Sequence, residues 1–374
     1  MSATLTNRVR AALAAPVPGL YLNSAAEGLP LAAAREGFER YLTAKSRGSS
    51  GRAQFEEIER DARAAFSRLM RVAPADVAFV ASTSRALDAA IKSIRWAAGD
   101  TIVVPSTEFP TALFAARLLA DSGVEVRTVP AAPDGLVAER DIVAAIDERV
   151  RLVVVSAVSF RTGQLFRTDE IIERAHDAGA LVFLDCVQAL GHVDFAVGEA
   201  DFAAAASFKW LQGIHGAAGL VVSNRARAEL APPYAAYRGV VDLFPDPPAE
   251  YELWDDARRF QEGLPDYAAL AVLAATEAAS APWREEAADH NRQLGARLLD
   301  GLRRIGADVL APTAERGSIV AFRTPRFAEI ASELERAGTT VWARDGRVRL
   351  SPHVYTSAAD VDGVIEQLDR VGVA

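Results

Sequence analysis

The sequence predicts an α/β protein, with a large, mostly parallel sheet between helices and a smaller α+β domain after it. Three observations carry this. Between Val77 and Asn224, short β-rich runs alternate with segments of helical periodicity. Those runs are largely continuous in apolar residues, as in strands covered on both faces. After Leu230 the alternation gives way to long helical stretches, short strands and a hairpin.

The elements follow in order. Met1 to Pro16 carries Arg8 and Arg10 and only a short Ala/Leu stretch, too brief for a signal peptide or a membrane span, and reads as a surface helix. Strand-like runs are Val77–Val80, Thr101–Val104, Val124–Val129, Leu152–Ser156, Leu181–Leu184 and Leu220–Val222. Helical segments between them include Arg85–Ala97, Thr111–Ala120 and Glu170–Ala178. Phe244-Pro245-Asp246-Pro247-Pro248 reads as a connecting loop. A helical region follows from Tyr267 to Arg304, then strands near Ala307–Leu310 and Ile319–Phe322, and a helix over Phe327–Ala337. Asp345-Gly346 is tight-turn chemistry between Thr339–Arg344 and Arg347–Leu350. A helix over Ser357–Val371 closes the chain. The expected division is residues 1–20 packing on the small domain, 21–264 as the large domain and 265–374 as the small one.

Composition excludes several classes. With 374 residues, half of them apolar, the chain can build more than one folding unit. A net charge of -9 argues against nucleic-acid or anionic-membrane partners, which need basic surfaces. The single cysteine, Cys186, cannot form a disulfide within the chain, which fits a reducing cytoplasm. Five scattered histidines give no zinc-type spacing, so no metal is expected.

Two residues stand out chemically. Asp185 ends an apolar run and is followed three positions on by Gln188. It is either a turn or helix-cap aspartate, or a carboxylate at the ligand edge of the sheet. Lys209 ends the apolar run Phe202 to Phe208. A lysine there either snorkels out or sits desolvated, and desolvation lowers its pKa, as a Schiff-base lysine requires. The glycines between Gly213 and Gly219 do not open a helix after a strand, so they read as a close-packed turn rather than a dinucleotide loop.

Together these residues resemble the class V aminotransferases of pyridoxal-phosphate (PLP) fold type I, a group that includes cysteine desulfurases. The resemblance rests on six segments in order: Tyr21 to Ala26, Ser82-Thr83-Ser84, Glu108-Phe109, Asp185 to Gln188, Ser207 to Leu211, and Arg349 to Tyr355. It implies a seven-stranded-type sheet in the large domain and PLP as cofactor. It implies Lys209 as the catalytic Schiff-base lysine, moving the α-proton, with Asp185 on the ring nitrogen. It further implies Gln188 on the phenolic oxygen and Phe109 stacked on the ring. Thr83, Ser84 and Ser207 would hold the phosphate. Arg349, with Asn23, would bind the substrate carboxylate. A homodimer with a shared active site is implied as well.

The chain also departs from the family. Phe208 stands where many members have histidine or tyrosine, Ala206 where desulfurases often have serine, Leu264 where a neighbouring subunit often offers threonine, and Phe160 where desulfurases have asparagine. Arg161 is a candidate to take over an anion contact. The loop from Ala337 to Trp342 has no cysteine to accept sulfur, which argues against persulfide formation. The expectation is a lyase acting at Cα and Cβ of an amino acid, of the β-eliminating C–S type. Transamination with a keto acid is the alternative, epimerisation ranks lower because Phe109 is no base, and a non-catalytic descendant ranks lower still.

Overall fold

A computed structural model describes residues 2–247, 250–310 and 316–373. Pro248, the end of the proline-rich loop expected from sequence, lies outside them. Seven strands form the large sheet: β1 (Val77–Val80), β2 (Thr101–Pro105), β3 (Glu125–Val129), β4 (Val150–Ser156), β5 (Leu181–Asp185), β6 (Phe202–Ala206) and β7 (Ala218–Val222). Their spatial order is β1-β7-β6-β5-β4-β2-β3. β7 pairs antiparallel with both β6 and β1, and the remaining pairs are parallel. The continuous apolar runs have their cause here. Val153, Val155, Val182, Leu184, Ala203 and Ala205 point into one core. Leu152, Val154, Phe183, Phe202, Ala204 and Ala206 point into the other. Helices Arg52–Met70 and Tyr267–Ser280 cover the first face, and Thr83–Ser93 and Pro110–Leu119 the second.

The helical stretch from Tyr267 to Arg304 is two helices, Tyr267–Ser280 and Arg284–Arg304, separated by Ala281-Pro282-Trp283. Pro282 lacks the N–H that a continuous helix would need. The first of the two buries Ala269, Leu270, Ala271 and Leu273 in the large core. Packing therefore puts the change of domain after Ser280, one helix later than the sequence suggests.

The small domain holds an antiparallel sheet of β8 (Asp308–Leu310), β9 (Val320–Arg323), β10 (Trp342–Arg344) and β11 (Arg347–Leu350), in the order β10-β11-β9-β8. Asp345 (φ 52°) and Gly346 (φ 72°) turn β10 into β11, both in the left-handed region that a two-residue hairpin needs. Leu294, Leu298, Phe322, Leu334, Val348 and Leu368 fill its core. The N-terminal helix Ser2–Ala12 buries Leu5 and Val9 against Ala287, Val354 and Tyr355. Leu20 and Tyr21 pair in parallel with Thr339 and Thr340, tying the entry of the chain to the small domain. No helix among the described residues is long and apolar enough to cross a membrane.

Candidate active site

The carboxyl ends of β1, β2, β4 and β5 open onto a cavity of about 320 Å³. This is where an open α/β sheet holds its ligand, because the loops after parallel strands diverge there. Each strand end delivers one part. β1 leads into helix Thr83–Ser93, capped by Ser82, whose side chain accepts from the Arg85 N–H. β2 delivers Glu108 and Phe109, β4 Ser156, and β5 Asp185 and Gln188. Lys209 enters from the turn after β6.

Lys209 is buried, and its Nζ makes no hydrogen bond or ion pair among the described residues. The amine lies 5.7 Å from the centre of the Phe109 ring and 5.5 Å from that of Phe208. Burial lowers its pKa to about 8, Asp185 and Glu27 oppose that shift, and Arg349 adds to it. More of the amine is therefore neutral near neutral pH than for an ordinary lysine, and only the neutral form attacks an aldehyde. Asp185 accepts the Val187 N–H at 2.9 Å. Burial raises its pKa, and the Lys209 charge lowers it.

Glu108 is the residue whose chemistry the sequence reading missed. Its carboxyl is buried and faces the cavity, accepting from Ser156 N at 2.7 Å and Ser156 Oγ at 2.5 Å. Burial pushes its pKa up to about 7, and the Asp185 charge adds to this. The signal for Ser156 was available: it ends an apolar strand on the edge that binds ligands, in register with Asp185.

The other expected residues divide. Thr83, Ser84, Phe109 and Gln188 line the cavity with Asp185 and Lys209. Thr83 Oγ1 is buried without a partner. Ser84 Oγ donates to Thr111 Oγ1 at 3.3 Å. Gln188 is already clamped: its Nε2 donates to Ala25 O and its Oε1 accepts from Trp210 Nε1. One N–H of the amide remains for a ligand. Phe109 stands edge-on to Phe160, with centroids 5.2 Å apart.

Ser207, Arg349 and Asn23 are not on the wall of the cavity. Ser207 Oγ donates to Ile214 O at 2.8 Å and closes the turn after β6. Arg349 lies one residue behind the wall, donating to Phe160 O at 2.8 Å and Asn23 Oδ1 at 3.4 Å. It is buried rather than a surface hairpin arginine, its Nε lacks a partner, and burial lowers its pKa to about 10. A buried guanidinium with an unmet N–H suits an incoming carboxylate. Arg161 does not line the cavity, and Leu264 is exposed.

These residues fit PLP. A helix N-terminus with an unmet hydroxyl suits the phosphate, an unpaired buried amine suits the aldehyde, and a carboxylate across the cavity suits the ring nitrogen. No group of residues with metal-ligand character occurs among the described residues. Cys186 is fully buried, its Sγ directed to Leu184 O at 3.6 Å, and burial and the Asp185 charge raise its pKa.

Comparison with known proteins follows the geometry. The model of the family described as aminotransferase class-V matches residues 30–364. A probable cysteine desulfurase of Methanothermobacter thermautotrophicus is 33% identical over 204 residues, 54% of this chain and 50% of that protein, so the match spans half its length. An uncharacterized aminotransferase of Bacillus subtilis, YcbU, is 28% identical over 82% of each chain. Among solved structures, the apo cysteine desulfurase of Thermococcus onnurineus NA1 is similar in fold, with a TM-score of 0.88 over 98% of each chain at 22% identity.

Proposed function

Since the chain belongs to the aminotransferase class-V family and is a PLP-dependent enzyme acting on an amino acid, we propose that it is a lyase which expels a β-substituent, of the C–S type, without a persulfide cysteine. The observation that carries the PLP site is the unpartnered Lys209 amine facing Asp185 across one cavity. The inert burial of Cys186 supports a reaction in which the sulfur leaves with its own substituent.

In this reading Arg349 and Asn23 orient the substrate carboxylate, swinging from their resting contacts with each other and Phe160. PLP, once bound, supplies an electron sink for the pair left at Cα. Lys209 Nζ, its pKa lowered by desolvation, takes the α-proton. Asp185 would keep the ring nitrogen protonated, and the apolar walls of Phe109, Phe160 and Phe208 exclude water. Thr83 and Ser84 would hold the phosphate, and the remaining N–H of Gln188 would be available to the ring oxygen.

We further place the enzyme in the cytoplasm, where a chain with one cysteine has no internal disulfide to lose. It is read as a homodimer, supported by Phe114 and Leu118, exposed one turn apart on the helix that starts beside the cavity. An elution volume for a single 39.9 kDa chain would contradict the dimer. The reaction is tested by supplying PLP and a panel of amino acids with and without a keto acid. Pyruvate with ammonia or a released thiol supports the lyase, whereas conversion only with a keto acid replaces it by an aminotransferase.

A further inference from the structure

Lyase chemistry on a thioether needs an acid, because an alkyl thiolate is a poor leaving group. Position 208, next to the lysine, cannot provide one, since it is phenylalanine. The turn that follows brings another candidate to the same place. His215 lines the cavity and lies over Phe208, with ring centroids 4.3 Å apart and planes at 26°. Phe208 in turn is the ring 5.5 Å from Lys209 Nζ. The imidazole thus occupies the outer end of a short stack that begins at the lysine.

A carboxylate approaches it from the other side. His215 Nε2 meets Glu27 Oε1 at 2.8 Å. Glu27 sits on a segment pressed against the lysine backbone: Gly28 N donates to Phe208 O at 3.0 Å, and a Cβ on Gly28 would lie 1.8 Å from Lys209 O. Only glycine fits there, so the strap carrying Glu27 has a fixed distance from Lys209. The Tyr21 hydroxyl donates to Glu27 O at 2.9 Å and steadies the strap further. Glu27 is also felt electrostatically by Lys209 and by Tyr21, and Arg349 by both of those, which puts the pair on the carboxylate-binding side of the cavity. The two side chains are 69% and 49% exposed, so as a surface ion pair they add little stability.

We propose that His215, held in place by Glu27, is the acid that protonates the departing sulfur. The proposal rests on the lyase reading. Nε2 lies 2.8 Å from Glu27 Oε1 in an ion-pair contact, so the proton comes from Nδ1, the ring nitrogen away from Glu27. As the Cβ–S bond breaks, its electron pair stays on sulfur and takes the Nδ1 proton, giving a thiol. The imidazole is left neutral and regains a proton from water at the rim. The carbon half leaves as an unsaturated amine, which water hydrolyses to pyruvate and ammonia.

The test compares two leaving groups on the full chain with PLP: S-ethylcysteine, which needs an acid, and β-chloroalanine, which does not. His215→Phe keeps a ring on Phe208 and should keep the visible cofactor band. We expect it to slow S-ethylcysteine by about 10²-fold and leave β-chloroalanine unchanged. Glu27→Gln should show the same pattern more weakly, and carries the test if the first variant misfolds. Equal loss on both substrates, or loss on neither, overturns the role of His215 while leaving the lyase standing. Pyruvate from neither substrate with the wild type overturns the lyase reading and this proposal together.

Discussion

The cavity and the seam between the domains both bury groups that can carry charge, and they treat them in opposite ways. In the seam, His192 stacks on Trp210 at 3.7 Å, and His353 meets Trp210 edge-on at 4.9 Å. Every ring nitrogen there has a partner. His192 Nδ1 donates to Gln188 O while Nε2 accepts from Ser318 N. Trp210 Nε1 donates to Gln188 Oε1, and His353 reaches Trp210 O and Asn291. In the cavity, by contrast, Lys209 Nζ makes no hydrogen bond or ion pair among the described residues, and Thr83 Oγ1 and, just behind the wall, Arg349 Nε are buried without partners. An unmet buried polar atom costs about 1–3 kcal/mol, a cost that a ligand in the cavity would remove. What separates the site from the seam is an unpartnered amine and hydroxyl facing one cavity; buried atoms without partners occur elsewhere too, at Thr101, His290 and Asn291.

That contrast can be broken most severely at Lys209. Lys209→Ala should lower turnover by about 10⁴-fold and remove the visible band, with little loss of thermal stability, because no hydrogen bond or ion pair is broken. A steady-state assay, a spectrum and a melting curve check all three. A stability loss with the band intact would move Lys209 to the scaffold side.

The seam should respond the other way. Burial holds the His192 pKa down to about 4, below its unfolded value near 6.5. Its folded form is neutral, so its contribution is complete above about pH 6.5 and is lost as pH falls toward 4. Relative to His192→Gln, the wild type should lose about 3 kcal/mol across that window, read from denaturant unfolding at several pH values. The cofactor band should survive in the variant.

Glu108 belongs to the cavity and titrates with the opposite sign. Its folded pKa, about 7, lies above the unfolded 4.5. Stability is therefore complete below pH 4.5 and is lost as pH rises through 7. Glu108→Gln apoprotein should match wild type at pH 4.5 and exceed it by about 3 kcal/mol at pH 8, read from the same unfolding curves. The smallest effect is expected at Ser207. Ser207→Ala removes the bond to Ile214 O and should cost about 1 kcal/mol, with PLP affinity unchanged. Weakened PLP binding would return Ser207 to the phosphate.

The sheet was legible because strands covered on both faces are written as unbroken apolar runs, and β4, β5 and β7 need nothing else. The break at Pro282 could also be read locally, but the home of helix Tyr267–Ser280 could not. Its sides are apolar almost all round, so only the arrangement of its neighbours decides which core takes it. At the site, Asp185 and Lys209 announced themselves as polar residues ending apolar runs. Ser207 was ambiguous, because a hydroxyl beside the lysine satisfies a turn carbonyl as readily as a phosphate. Glu108 and His215 were hidden for a different reason. Their importance comes from Ser156 and Glu27, which the fold, not the sequence, puts beside them.

The central claim is a covalent site at one buried amine. The chain has three lysines, and Lys45 and Lys92 are exposed. Adding PLP, reducing with borohydride and mapping the peptides by mass should place a single pyridoxyl group on Lys209. A label on Lys45 or Lys92 alone, or none at all, would contradict the account.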